Sequence, residues 1–119
     1  ILADIDSKKI SIVMQNLIDN AIKYGNENST IKIDISKINT MIQIKVKNTG
    51  IGIPKEEAED IFQRFFRAKN AIRKETEGMG IGLFISKNII TDHNGRIWFD
   101  SDKNGETTFY IEIPSTKKF

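Results

Sequence analysis

The chain has 119 residues, enough for one domain around a single core and too few for two. Its 39% hydrophobic and 29% charged residues suit an ordinary globular domain and argue against disorder, and a net charge of +2 spread along the chain leaves no nucleic-acid footprint. The absence of cysteine excludes a disulfide framework and a thiolate metal site and suits a reducing compartment; no apolar run approaches a membrane span and no signal-peptide pattern opens the chain.

Ile1-Leu2-Ala3-Asp4-Ile5 reads as a strand already under way, so an excised fragment of a longer protein is expected, with any membrane attachment outside it. Ser7 to Tyr24 follows as a helix, capped by Asp6 or Ser7, with Ile10, Met14, Leu17, Ile18 and Ala21 as its apolar stripe and Gly25-Asn26 as its end. Thr30 to Lys37 and Met41 to Lys47 alternate apolar and polar residues across a short polar link, which predicts an antiparallel hairpin with one face buried. Asn48 to Pro54 is a glycine-punctuated loop, and Pro54 or Lys55 starts a second helix that turns Ala58, Ile61, Phe62 and Phe65 inward. Ala68 to Glu77 has no period and reads as a mobile loop, of a length that is more often functional than decorative. A third helix from about Gly82 to His93 ends at Asn94-Gly95, and Arg96 to Asp100 with Thr107 to Ile113 closes the chain as a further hairpin. The order α-β-β-α-α-β-β predicts an α/β two-layer sandwich: a mixed, mostly antiparallel sheet with three helices on one face.

The most informative stretch is Glu77-Gly78-Met79-Gly80-Ile81-Gly82-Leu83-Phe84-Ile85, three alternate glycines running into a helical pattern. Glycine lets backbone amides approach a ligand with no Cβ in the way, and a helix N-terminus adds its dipole, so the pattern suits phosphate; alone it is a weak signal. In the first helix Asn16, Asn20 and Lys23 share one face. Periodicity alone favours a solvated face there. The alternative is a neutral amide oxygen for a hard cation such as Mg²⁺, with Lys23 on the phosphates and Tyr24 against a sugar or base. Asn48-x-Gly50-x-Gly52 is either a plain turn or a polar side chain fixed at a strand end to read a ligand edge. Arg67 is a surface charge or a phosphate clamp, and His93 is read as structural at a helix C-terminus. No P-loop, dinucleotide fingerprint, serine nucleophile elbow or His/Cys zinc cluster is present.

The order and spacing of four stretches carry more than each alone. Asn16-Leu17-Ile18-Asp19-Asn20-Ala21-Ile22-Lys23-Tyr24, then Asn48-Thr49-Gly50-Ile51-Gly52-Ile53-Pro54, then Ile61-Phe62-Gln63-Arg64-Phe65-Phe66-Arg67, then Gly78-Met79-Gly80-Ile81-Gly82-Leu83 resemble the N box, first glycine box, F box and second glycine box of the catalytic ATP-binding domain of bacterial sensor histidine kinases. The resemblance covers nearly the whole chain and implies one ATP-binding domain, residues 1–119, with the Bergerat fold. It implies Asn20 as a Mg²⁺ ligand with Asn16 beside it, Lys23 and Arg67 on the phosphates, and Tyr24 near ribose or base. Asn48, Gly50, Gly52 and Ile53 would shape the adenine pocket. Gly78, Gly80 and Gly82 would bring amides to the phosphates, with Met79 and Ile81 in the same segment, and Leu83 would pack near the base. Ala68 to Glu77 would form the ATP lid, and Thr107 the pocket threonine of a closing box that keeps one glycine, Gly105.

The cofactors implied are ATP and Mg²⁺. The implied partners are a phosphoacceptor histidine on a separate helical hairpin and a response regulator, with no nucleic acid and no membrane contact from this segment. The implied location is cytoplasmic, with inner-membrane anchorage of the parent left open. Where the family carries Asp to accept from the adenine amino group, this chain has Asn48. A neutral acceptor has about half the strength of a charged one, so ATP binding is expected to weaken on the order of 1 kcal/mol, and an amide that also donates relaxes discrimination against guanine. Asn16 stands where related ATPases carry a water-activating glutamate; it cannot act as a base, so group transfer fits better than hydrolysis. A nucleotide-sensing module without catalysis and a serine kinase of the anti-sigma type are the alternatives.

Overall fold

The computed structural model describes residues 5–52, 61–62, 81–102 and 104–115. Helix α1 (Ser7–Tyr24) begins at Asp6, whose extended backbone turns the side-chain Oδ1 onto the amides of Lys8 and Lys9 at 3.1 and 3.2 Å. Those bonds satisfy two donors that a helix start leaves open, so Asp6, rather than Ser7, is the cap. Val13, Leu17 and Ala21, each four residues on, form the buried line of the helix, and Ile10 and Met14 pack on its flank. The stripe is thus centred on Val13, which the sequence reading passed over, while Ile18 is only half-buried.

Strands β1 (Lys32–Ile38) and β2 (Met41–Thr49) form one antiparallel hairpin, and β3 (Arg96–Ser101) and β4 (Glu106–Pro114) another. The hairpins join through their second strands, giving the order β1-β2-β4-β3. The expectation of a mixed sheet is corrected among the described strands: every pairing is antiparallel, because each hairpin reverses the chain and the two return strands run in opposite senses. The register sets Ile42 against Ile113, Ile44 against Ile111 and Val46 against Phe109. These alternate residues make one apolar face, and with Val13, Leu17, Ala21, Ile89 and Ile90 they form one core.

Helix α1 packs on β2, helix α2 (Ile81–Asp92) packs on β3 and β4, and the two helices pack on each other. The described residues therefore hold two helices rather than the expected three. The helix expected from Pro54 lies outside them except for Ile61, which is buried, and Phe62, whose ring stands edge-on to Phe109 with centroids 6.2 Å apart. The lid segment 68–77 and the expected opening strand from Ile1 to Ile5 also lie outside the described residues, except for Ile5, which is in no strand.

Hairpin β1–β2 does not bury a face on both strands as expected. Ile33 and Ile35 pair with Val46 and Ile44 on the core side, yet are 45% and 58% exposed. β1 is the edge strand, and α1 lies over β2, so alternation predicted the direction of these side chains but not their cover. At the other end of the helical layer, Asn94 adopts the left-handed conformation and the Gly95 amide donates to the Ile90 carbonyl at 2.9 Å, ending α2. Just before that turn, His93 Nε2 accepts from the Asp6 amide at 3.0 Å while Nδ1 lies 2.8 Å from the Ile89 carbonyl. The amide can only donate, so Nδ1 carries the ring proton, and the neutral imidazole fastens the end of α2 to the start of α1. No helix among the described residues is long and apolar enough to cross a membrane.

Candidate functional site

Three chain segments converge at one end of the sheet. Helix α1 stops at Tyr24, and Gly25 leaves it in extended conformation to form a bridge with Gly50. The helix thus ends at Gly25 as expected, and pairing with the end of β2 is what terminates it. The Asn26 amide donates to the Thr49 carbonyl at 2.8 Å, and the Ile51 amide to the Tyr24 carbonyl at 3.2 Å. On the other side, the Gly50 amide donates to the Gly105 carbonyl at 2.9 Å. Gly50 and Gly105 are required here for close approach. A Cβ on Gly50 would overlap the Tyr24 carbonyl, and one on Gly105, whose φ is +83°, would overlap the carbonyl of Gly50. Gly52 follows with φ +72°.

Asn48 is the last buried residue of β2 rather than part of a loop. Its register partner is Thr107, which in turn pairs with Ser101. The three continue the core face as a polar row across β2, β4 and β3. Asn48 is 7% and Thr107 4% exposed, and the Thr107 and Ser101 hydroxyls are 2.8 Å apart. A buried amide and two hydroxyls at the rim of an apolar face form a neutral surface that favours an uncharged, hydrogen-bonding edge. Ser101 was not singled out from sequence; its only signal there is a polar residue ending a strand whose other core-side positions, Ile97 and Phe99, are apolar.

The third element is the α1–α2 seam. Asn16 Nδ2 donates to the Gly82 carbonyl at 3.2 Å and to Ser86 Oγ at 3.3 Å, and Ser86 is fully buried. Asn20 is half-buried one turn further along α1, and Lys23 beyond it is exposed. Tyr24 is half-buried where α1 meets Gly50, and Leu83 packs against the core from the first turn of α2. The structure thus brings Asn16 to Gly82, Tyr24 to Gly50, and Asn48 to Thr107. Ile81 opens α2, whereas Ile53, Arg67, Gly78, Met79 and Gly80 lie outside the described residues.

Among the described residues no cluster of three His, Cys, Asp or Glu side chains could hold a metal ion. The amide oxygen of Asn20 is a donor of another kind, neutral and hard, of the type that suits Mg²⁺ when phosphate oxygens and water complete the shell.

Residues 5–117 match the family described as histidine kinase-, DNA gyrase B- and HSP90-like ATPase. The chain is 40% identical over 113 residues to the sensor histidine kinase WalK of Bacillus subtilis, covering 93% of this chain and 18% of WalK. It is 40% identical over 110 residues to the sensor protein VanS of Enterococcus faecium, covering 92% of this chain and 28% of VanS. Among solved structures, the catalytic domain of histidine kinase ThkA matches with a TM-score of 0.81 at 37% identity, over 97% of this chain and 73% of that one. The mycobacterial sensor histidine kinase MprB matches with a TM-score of 0.88 at 26% identity, over 98% and 78%. ThkA in complex with the response regulator protein TrrA also matches, with a TM-score of 0.77 at 36% identity, over 96% of this chain and 30% of that one. The chain thus spans less than a fifth of the length of WalK and somewhat over a quarter of that of VanS.

Proposed function

The chain belongs to the histidine kinase-, DNA gyrase B- and HSP90-like ATPase family, and from that premise we propose that it is the catalytic ATP-binding domain of a sensor histidine kinase, which binds Mg-ATP and passes the γ-phosphoryl group to a histidine on a separate helical hairpin. The observation that supports this reading is the convergence at one sheet end of the amide-bearing face of α1, the buried Asn48–Thr107 row and the first turn of α2. Asn48 and Thr107 meet the base edge, with Tyr24 and Leu83 at the sides of the pocket. Asn20 offers its amide oxygen to the Mg²⁺ that accompanies the phosphates. Lys23 and Arg67 offset phosphate charge, and the open amides at the start of α2 receive phosphate oxygens.

Bound Mg²⁺ supplies neutralisation of the charge that spreads over the transferred group; the chain's own residues hold the nucleotide in line with the acceptor. The bond from the γ-phosphorus to its bridging oxygen breaks, ADP leaves, and the imidazole nitrogen of the acceptor takes the phosphoryl group. Asn16 carries no basic oxygen with which to activate water, so transfer to a protein side chain is favoured over hydrolysis. The phosphohistidine then serves a response regulator, the kind of partner bound to ThkA, and the domain works on the cytoplasmic side. Incubating the chain with radiolabelled ATP and a separately made histidine hairpin tests this. Label on the hairpin that is lost in acid and kept in alkali is expected. Acid-stable label on an added protein would favour a serine kinase, and nucleotide binding without any label a sensing module.

A further inference from the structure

The amide face of α1 does more than look toward a ligand. Asn16 Nδ2 donates twice to α2, to the carbonyl of Gly82 and to the hydroxyl of Ser86. The Gly82 carbonyl also points along the helix axis at the amide of Ser86, four residues on, so both acceptors belong to one turn of the helix. Ser86 is fully buried, and its hydroxyl has no route to water. The carboxamide packs against Gly82: a Cβ there would lie 3.4 Å from Asn16 Cγ and 3.6 Å from its Oδ1. Glycine in a first turn weakens a helix, through both backbone entropy and the loss of side-chain contacts. The turn that must hold its open amides still is therefore the one with least intrinsic reason to stay helical.

We propose that Asn16 is a positioning residue, which acts on the nucleotide site through the first turn of α2 by clamping Gly82 and Ser86, and not as a ligand of phosphate or Mg²⁺. This rests on the nucleotide reading above and refines it. Asn20, one turn on, remains the oxygen ligand of α1, and Ser86 becomes the buried partner on which the clamp depends.

The variant that separates the two roles is Asn16→Asp. It keeps a hard oxygen for a metal but has no N–H, and it sets a carboxylate against the Gly82 carbonyl. Ser86→Ala, a change of one atom at a buried position, keeps the fold while removing one of the two acceptors. The chain, its Asn16→Ala, Asn16→Asp and Ser86→Ala forms and the Asn16→Ala/Ser86→Ala double variant are titrated with Mg-ATP, and amide hydrogen exchange is followed across residues 85–88 in the ligand-free state. Both Asn16 variants are expected to exchange there about tenfold faster and to bind ATP about tenfold more weakly, the scale of one lost net hydrogen bond. Ser86→Ala should show a smaller loss of the same kind, and the double variant should be no worse than Asn16→Ala alone. Unchanged exchange in the Asn16 variants, or faster exchange with intact ATP affinity, overturns the proposal, as does Asn16→Asp binding Mg-ATP like the wild type. A wild-type chain that binds no ATP refutes the nucleotide reading instead, and the exchange measurement still decides whether the clamp exists.

Discussion

Asn48 and Thr107 face each other across β2 and β4, both buried, at the point where the apolar face of the sheet turns polar. An amide there accepts with its oxygen and donates with its nitrogen, so it can pair with either a 6-amino or a 6-oxo purine. Asn48→Asp leaves only acceptors. ATP affinity is expected to rise about five- to tenfold, from a charge-assisted bond, and GTP affinity to fall, read by calorimetric titration with each nucleotide. Equal affinities for the two proteins, with an unchanged ratio, would remove Asn48 from the base pocket.

The seam between α1, β2 and the β3–β4 turn depends on backbone passing within contact of backbone at Gly50. Gly50→Ala has no side chain to move aside, since the group in the way is the Tyr24 carbonyl. A loss of about 2–4 kcal/mol is expected, seen as a melting temperature lower by roughly 10 °C or more. A melt within a degree or two of wild type would mean that the seam is not as tight as drawn.

His93 fastens the two helices through the Asp6 amide and the Ile89 carbonyl. His93→Phe keeps the ring volume and loses both bonds, at an expected cost of about 1–2 kcal/mol. Faster amide exchange should appear in the first turn of α1 and leave β2 and β4 unaffected. Slowing, or no change, at that turn would show that the helix start is held by Asp6 capping alone.

Ile35 and Ile44 are register partners with opposite fates. Ile44 is buried at 7% exposure and Ile35 is 58% exposed. Ile44→Ala should cost about 2–4 kcal/mol in denaturant unfolding, and Ile35→Ala less than about 1 kcal/mol. Similar costs would mean that the face of β1 is covered in solution.

The strands, both described helices and the sequence order of the site were legible from periodicity and glycine spacing, because those patterns record local backbone geometry. What remained hidden was long-range. The burial of Asn48 within β2 comes from its register with Thr107, which no local window contains. Val13 was missed because Ile10, Met14 and Ile18, on the flank of the buried line, suggest an apolar stripe displaced around the helix from it. Ser86 reads as an unremarkable polar residue until α1 lies beside it. Gly25 looks like a helix stop and is one, but through a bridge to Gly50 that depends on the tertiary fold. The exposure of Ile33 and Ile35 has the same origin: alternation gives the side of the sheet, and the position of α1 decides what is covered.

Mg-ATP binding with Asn20 as the oxygen ligand of α1 is tested most directly by calorimetric titration of the chain with ATP, with and without Mg²⁺, beside Asn20→Ala. Binding that depends on Mg²⁺ in the wild type and loses that dependence in Asn20→Ala, with a fall of about tenfold or more, is the predicted result. A folded chain that binds no ATP, or an Asn20→Ala variant that binds Mg-ATP like the wild type, would contradict it.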